Sequence, residues 1–185
     1  MQKWLILGIL LFPVLSFGAA YETKALDGRV TVSFPSPFKK SSRTVETKYG
    51  EIRLDSYKGK APGTFMNLLV VTYPDAVMRA QKDPLAFIDR TAAGHEKQKT
   101  GSNRVYFRKL KDAKHPAAEH RFTYPTGKNS TGARYAKGFS VYRYYLVDSQ
   151  MVTVFVDVLD GMYLKRTKVI DQRLEDFFAS LKIKE

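Results

Sequence analysis

The sequence predicts an α+β fold with a largely antiparallel central sheet. Segments with the period-two alternation of strands are numerous, whereas only two segments show helical spacing. Their order along the chain is strands, a helix, strands and a second helix, which is typical of the α+β class. Neighbouring strands are mostly separated by short turns, such as Tyr49-Gly50 and residues 148–150, and short turns favour antiparallel pairing.

The first half of the chain predicts four strands and one helix. The strands are Arg29–Phe34, Thr44–Lys48, Glu51–Tyr57 and Thr64–Tyr73. The last of these is almost continuously apolar, which indicates that both faces of the sheet are covered. Asp83 and Pro84 begin the helix, because Asp caps free N–H groups and Pro suits the first helical position. The predicted helix ends at about Lys99.

The second half predicts four more strands and a closing helix. The strands are Val105–Leu110, Glu119–Tyr124, Tyr135–Val147 and Met151–Leu159. In the last strand every second residue from Val152 to Val158 is Val, which is an unambiguous period of two. The helix is predicted over about Tyr163–Ser180. Its apolar stripe consists of Ile170, Leu174, Phe177, Phe178 and Leu181.

Residues 1–20 have the pattern of a cleavable signal peptide. Lys3 is followed by the uncharged apolar run Trp4–Leu15 and then by mostly small residues up to Ala20. The run is shorter than the ~20 residues of a membrane-spanning helix, and an uncleaved anchor is the alternative. We therefore expect a periplasmic or secreted protein in which residues 21–185 form a single domain.

The charge balance predicts an acidic partner, and the composition excludes thiol chemistry. The net charge of +13 falls only to +12 when residues 1–20 are removed. Such an excess of cations attracts acidic proteins or anionic polymers at long range, although a merely solubilising surface is the alternative. The sequence has no Cys, which excludes thiol catalysis, Cys-ligated zinc and iron–sulfur clusters.

Two stretches resemble a known family. They are Gly28-Arg29-Val30-Thr31-Val32-Ser33-Phe34-Pro35-Ser36-Pro37-Phe38 and Phe177-Phe178-Ala179-Ser180-Leu181-Lys182-Ile183. Together with the element order they resemble the PsbP-like proteins, named for an extrinsic subunit of photosystem II. The resemblance implies an α/β/α sandwich, in which helices cover both faces of the sheet. It also implies non-catalytic binding to other proteins, since proteins of this fold include photosystem subunits, a nuclear-import factor that binds a small GTPase, and exported bacterial proteins. It supplies no catalytic position.

No motif predicts a catalytic, cofactor or metal site. His115 and His120 are five residues apart, which is not the spacing of a zinc motif, and no acid is placed to complete a ligand set. His95 is interpreted as a core or boundary residue of the first helix. Ser140 lacks the second Gly of a nucleophile elbow. Residues 127–132 lack the first Gly of a phosphate loop, so they are interpreted as a hairpin loop.

Basic and aromatic side chains provide the candidate binding surface. Cations are frequent in the first hairpin, and Tyr alternates with Arg and Lys along the predicted strand Tyr135–Val147. Aromatic residues and Arg are favoured at protein interfaces. The alternative is that the rings are half-buried and the charges lie at the rim. The candidate binding residues are Lys39, Lys40, Arg43, Tyr135, Lys137, Arg143 and Tyr145.

These observations predict a non-enzymatic exported domain that binds an acidic protein or an anionic envelope component. An envelope-acting hydrolase without a recognisable motif is the first alternative. A carrier with an apolar cavity between sheet and helix is the second. No recognition motif accompanies the charge, so specific nucleic-acid binding is not expected. The oligomeric state stays open.

Overall fold

A computed structural model describes residues 20–111, 113–128 and 134–184 of the chain. The predicted signal peptide therefore lies outside the described residues, apart from Ala20. The strands are β1 (Tyr21–Glu22), β2 (Val30–Thr31), β3 (Ser33–Phe34), β4 (Lys39–Thr47), β5 (Gly50–Ala61), β6 (Thr64–Thr72), β7 (Asn103–Lys109), β8 (Ala117–Tyr124), β9 (Gly127–Lys128), β10 (Arg134–Tyr135), β11 (Gly138–Val147), β12 (Gln150–Leu159) and β13 (Lys182–Ile183). The helices are α1 (Asp75–Arg79), α2 (Pro84–Lys97) and α3 (Asp160–Ala179), with a 3₁₀ turn at Leu26–Gly28.

Seven strands form one sheet in the order β4-β5-β6-β12-β11-β8-β7, and every neighbouring pair is antiparallel. The prediction of an α+β fold with a largely antiparallel sheet is thereby confirmed. β4 and β7 are the two edge strands, because each pairs with a neighbour on one side within this sheet. The remaining strands form three small two-stranded pairs.

The helix starts follow local chemistry. At α2 the Asp83 carboxylate accepts hydrogen bonds from the backbone N–H groups of Leu85 (2.8 Å) and Ala86 (3.1 Å). Pro84 occupies the first turn of the helix, as the sequence predicts. The closing helix begins at Asp160 rather than near Tyr163, with the acidic side chain in its first turn, where it complements the helix dipole.

The core consists of two clusters of buried residues. In one, Ile170, Phe177 and Phe178 of α3 pack with the Val residues of β12 at positions 152–158. In the other, Ile88 and Ala92 of α2 pack with aromatic residues of β8 and β11. Leu174 and Leu181 are partly buried and pack against the same cluster, so all five residues of the predicted apolar stripe contact the core.

Two predicted strands are interrupted in the structure. The segment Arg29–Phe34 divides into β2 and β3 because Val32, between them, exchanges hydrogen bonds with Thr23. The segment Tyr135–Val147 divides at Lys137, whose backbone N–H donates to the Thr126 hydroxyl and whose carbonyl accepts from Asp160 N–H. Only β11 therefore joins the large sheet, and β10 pairs with β9.

Within the described residues, no helix combines the length and apolarity needed to cross a membrane.

Candidate binding surface

The edge strand β4 is the most open part of the sheet. Each residue from Lys39 to Glu46 is exposed, although all of them belong to a regular strand paired with β5. Polar side chains on both sides of a strand remove the period-two pattern, which is why the sequence predicts this strand only from Thr44. Lys39, Lys40 and Arg43, three of the predicted binding residues, lie together in its first half.

The register of two hairpins shows which backbone groups of β4 point outwards. Thr47 and Gly50 close the turn between β4 and β5, so the backbone of Thr47 faces β5. Ala61 and Thr64 close the next turn, and counting back along β5 gives the same alternation. Alternate residues of β4 therefore direct their N–H and C=O groups to the open edge. They are Lys40, Ser42, Thr44 and Glu46.

The two faces of β4 differ in chemistry. Val45 pairs with Ile52 and Arg43 with Leu54, which places Lys39, Arg43 and Val45 on the face covered by α2 elsewhere in the sheet. Lys40, Ser42, Thr44 and Glu46 lie on the opposite face, with Tyr57. The α2-side face thus combines two cations with an apolar residue that is 43% exposed.

Contacts with β5 fix side chains on this opposite face, the α3-side face, which carries Tyr57. Lys40 Nζ lies 5.4 Å from the centre of the Tyr57 ring, which is a cation–π contact. The Ser42 hydroxyl donates to Asp55 Oδ1 (2.5 Å), and Arg53 Nε donates to the same carboxylate (3.1 Å). Among the residues that the structure describes, Lys39 and Arg43 have no such partner.

The other edge strand, β7, is less regular. Its register with β8 shifts between Arg104 and Tyr106, which leaves Val105 as a bulge. Bulges twist an edge and interrupt its row of free backbone groups, and natural proteins use them to prevent strand addition. β4 has no such shift in its register with β5. Of the two edges, β4 is therefore the one suited to accept another strand.

The predicted Tyr/Arg strand does not extend the β4 surface. Lys137, Arg143 and Tyr145 belong to the β10–β11 region, and β11 lies four strand spacings from β4, or about 19 Å. Phe139 and Val141, between them, are buried in the α3 cluster. Tyr135 lies in the separate pair β9–β10. The structure thus brings together Lys39, Lys40 and Arg43, and separates them from the other four candidates.

Arg143 is part of a buried ion-pair network. Its Nε donates to Glu119 Oε2 (2.7 Å), and its guanidinium lies 4.5 Å from the centre of the Phe178 ring. Glu119 also accepts hydrogen bonds from Tyr106 Oη (2.8 Å) and Arg108 (2.6 Å), while its own side chain is only 4% exposed. Burial raises the pKa of Glu119, but the hydrogen bonds and charges of these partners outweigh it, and the pKa is lowered.

A second polar cluster joins Lys99, Ser140 and Asp157. Lys99 Nζ donates to Asp157 Oδ1 (2.7 Å) and to Ser140 Oγ (3.1 Å), and the Ser140 hydroxyl donates to the same carboxylate oxygen. Burial lowers the pKa of Lys99, and the neighbouring Asp157 opposes this shift. A Ser–Lys catalytic pair requires the amine to accept the serine proton. Here both groups donate to one carboxylate and Ser140 is fully buried, so the cluster functions as a structural network.

Two histidines lie between α2 and the sheet. His95 Nδ1 is 3.0 Å from Tyr144 Oη, and the imidazole stacks on Tyr142. Burial lowers the pKa of His95 to about 4, so this imidazole is neutral near pH 7. His120 is fully buried, with Nε2 3.3 Å from Glu96 Oε2, and burial lowers its pKa too. Across residues 20–111, 113–128 and 134–184, no three potential ligands converge as a metal site.

Comparison with solved structures finds the Ran-binding protein Mog1p of Saccharomyces cerevisiae. The chains are 10% identical, the alignment covers 89% of this chain and 95% of that chain, and the TM-score is 0.48. A mutant of the protein Mog1 gives the same identity and TM-score, with 90% and 97% of the two chains covered. No family model and no curated protein matches the chain. At this similarity neither structure transfers a function.

The comparisons correct the expectations that depended on the family resemblance. Both of these structures are Mog1, the first described as Ran-binding, and neither is described as an exported protein, so the assignment to PsbP-like exported domains is corrected. The predicted function as an exported domain is withdrawn with it, as are its alternatives, the envelope hydrolase and the apolar-ligand carrier, whereas an acidic partner stays a prediction. The periplasmic or secreted location and the signal peptide likewise receive no support from these structures.

Proposed function

We propose that this chain is a protein-binding domain that takes up an extended segment of its partner along β4. The observation that supports this function is the edge itself. A nine-residue strand is exposed from Lys39 to Glu46, is regular in register, and carries outward N–H and C=O groups at alternate residues. An extended peptide that adds to such an edge gains main-chain hydrogen bonds, and its side chains supply the specificity.

The charge of β4 favours a partner segment that carries carboxylates. Lys39, Lys40 and Arg43 lie within five residues, and cations on an edge oppose its pairing with a similar or uncharged strand. A second copy of β4, added antiparallel about Arg43, would bring two guanidinium groups together at a directly opposed pair, which is unfavourable. An acidic segment instead converts the same cations into attractive contacts.

We also propose that helices cover both faces of the sheet. Val141 and Tyr142 are neighbours in β11, so their side chains point to opposite faces. Val141 belongs to the cluster of α3, and Tyr142 belongs to the cluster of α2. With both faces of the central strands covered, another strand can add to the sheet only at an edge, and β4 is the edge with the regular register.

The test compares Thr44→Pro with Val105→Pro in the full chain. Proline at Thr44 removes an outward N–H of β4, whereas proline at the Val105 bulge alters the opposite edge, where proline is tolerated. The probe is a ten-residue peptide of alternating Thr and Glu, titrated while the amide NMR signals of the labelled protein are followed. We expect shifts along β4, lost in Thr44→Pro and kept in Val105→Pro. Equal binding by wild type and Thr44→Pro, or no shift along β4 at millimolar peptide, would refute the proposal.

A further inference from the structure

The charge along β4 changes sign before the strand ends. The first half carries Lys39, Lys40 and Arg43, whereas Val45 and Glu46 precede the turn. Glu46 pairs with Glu51, so two carboxylates lie side by side near the end of the hairpin. β4 is therefore not uniformly basic: along it lie cations, then an apolar side chain, then Glu46, which is paired with Glu51 of β5. A partner that matches this order must itself have a direction.

The hydrogen-bond pattern decides which side chains discriminate most strongly. An antiparallel strand added to β4 would form its hydrogen-bonded pairs opposite the outward residues, such as Ser42 and Thr44. Residues opposite Lys39, Arg43 and Val45 would form the non-hydrogen-bonded pairs. Side chains are closer in these pairs, at a Cα separation of about 4.5 Å against about 5.5 Å. The α2-side face of β4 therefore makes the closest side-chain contacts with the added strand.

We infer that the partner segment adds antiparallel to β4 and carries an apolar residue followed two and six residues later by Asp or Glu. This inference rests on the proposed function. The apolar residue lies opposite Val45, and the two acids lie opposite Arg43 and Lys39. On the other face, the residue directly before the apolar residue is basic and lies opposite Glu46. The fifth residue after the apolar residue is acidic and lies opposite Lys40.

Three features support this pattern, and the first two favour it over a merely acidic one. Val45 is 43% exposed and lies beside the half-buried Ile52, so an apolar side chain gains contact area there. Glu46 and Glu51 repel one another and gain from a cation between them. Lys39 and Arg43 have no ion pair among the described side chains, so their charges are available to the partner.

The experiment uses two peptides of identical composition. The first is acetyl-Thr-Lys-Val-Thr-Glu-Thr-Thr-Glu-Glu-Thr-amide, and the second has the reverse order. Both are titrated against the full chain by amide NMR. We expect the first to bind at least about fivefold more tightly, since reversal misplaces the apolar contact and mixes the charges. Equal affinity of the two orders, or a preference for the reversed one, would overturn the antiparallel register.

A charge exchange locates the contact. Arg43→Glu should weaken the first peptide about tenfold, because an attractive cross-strand pair becomes a repulsive one. Replacing the first Glu of the peptide by Lys should restore the affinity for Arg43→Glu and weaken that for wild type. Failure of this rescue would overturn the pairing with Arg43. Loss of all peptide binding in Thr44→Pro, together with equal affinities for the two orders, would leave the proposed function standing and refute this inference alone.

Discussion

Replacing Glu119 by Gln tests how much the buried ion-pair network stabilises the fold. The carboxylate lies in β8 and joins three elements: Tyr106 and Arg108 of β7, and Arg143 of β11. Gln keeps the volume and one acceptor oxygen. It also replaces the second oxygen by an NH₂ group that can only donate, and it faces groups that themselves donate. The Arg143 guanidinium, packed against the Phe178 ring, then loses its anionic partner.

The expected cost follows from the exposure of each partner. A hydrogen bond to a charged group contributes about 1.5–3 kcal/mol, and the bond to Arg143 qualifies because its side chain is 30% exposed and Glu119 only 4%. Arg108 is 62% exposed, so solvent reduces its contribution to a few tenths of a kcal/mol. Tyr106 adds about 1 kcal/mol. We expect Glu119→Gln to lower the free energy of unfolding by about 3 kcal/mol, which corresponds to about 6–12 °C in Tm.

The assay is chemical denaturation followed by circular dichroism, with Glu175→Gln as the matched control. Glu175 is exposed on α3, so its replacement should change the free energy of unfolding by less than about 0.5 kcal/mol. If the midpoint falls while the slope of the free energy of unfolding against denaturant concentration is unchanged, the lost stability concerns the native state. A cost below about 1 kcal/mol for Glu119→Gln would refute the reasoning, because it would mean that the network contributes no more than a surface ion pair.

The pH dependence supplies a second check on the same residue. The pKa of Glu119 is lowered in the folded state, so its stabilising contribution is present above the unfolded pKa and is lost as pH falls through the lower, folded value. The difference between wild type and Glu119→Gln should therefore be constant near pH 7 and shrink below about pH 4. A difference that grows on acidification would contradict the assigned direction.

Three further outcomes follow from the packing. Gly138→Ala should destabilise the fold by about 3 kcal/mol, because the added Cβ would lie 2.0 Å from the Val158 carbonyl oxygen. At Gly94 an added Cβ meets nothing within 4 Å, so Gly94→Ala should stabilise α2 by about 0.5–1 kcal/mol. Thermal unfolding of both variants tests these two expectations. The pKa of His95 is lowered to about 4 in the folded state, so the free energy of unfolding of the wild type should fall by up to about 3 kcal/mol as the pH falls from 6.5 to 4. His95→Gln should not show this fall, and denaturation at each pH measures it. Asp157→Asn should lower the free energy of unfolding by about 2 kcal/mol, because it removes the carboxylate that lies 2.7 Å from Lys99 Nζ, and a change near zero by denaturation would contradict this.

The parts of the fold that the sequence predicts well are those whose pattern reflects burial on one side. β12 is predicted from Met151 and observed from Gln150, because its alternating Val residues face one cluster. The start of α2 is predicted correctly because its cap is local: the bond donor and acceptor are two residues apart, at Leu85 and Asp83. Helix caps formed between near neighbours and strands with strong periodicity can therefore be predicted from the sequence alone.

The start of β4 and the exposure of the Tyr/Arg face were not predicted correctly, because both depend on the order of strands in the sheet. The first half of β4 shows no alternation because neither of its faces is buried, so nothing in the sequence distinguishes it from a loop. Most of the predicted Tyr/Arg face belongs to β11, an interior strand of the sheet, in which Phe139 and Val141 are buried in the cluster that contains residues of α3. Exposure along a strand could not be deduced without knowing which strands are the edges.

The distribution of charge over the two edges links the fold to the proposed binding mode. An edge that only needs protection can be blocked by a bulge, as at Val105, or by cations alone. β4 instead keeps a regular register over nine residues, leaves Lys39 and Arg43 without ion pairs among the described residues, and adds an exposed Val45 and an acidic pair near the turn. Protection alone does not require the apolar residue or the change of sign. Selection of one complementary segment requires both the apolar residue and the change of sign. The cations disfavour strands without acidic residues, and the order of cation, apolar residue and acid favours a segment with the complementary order.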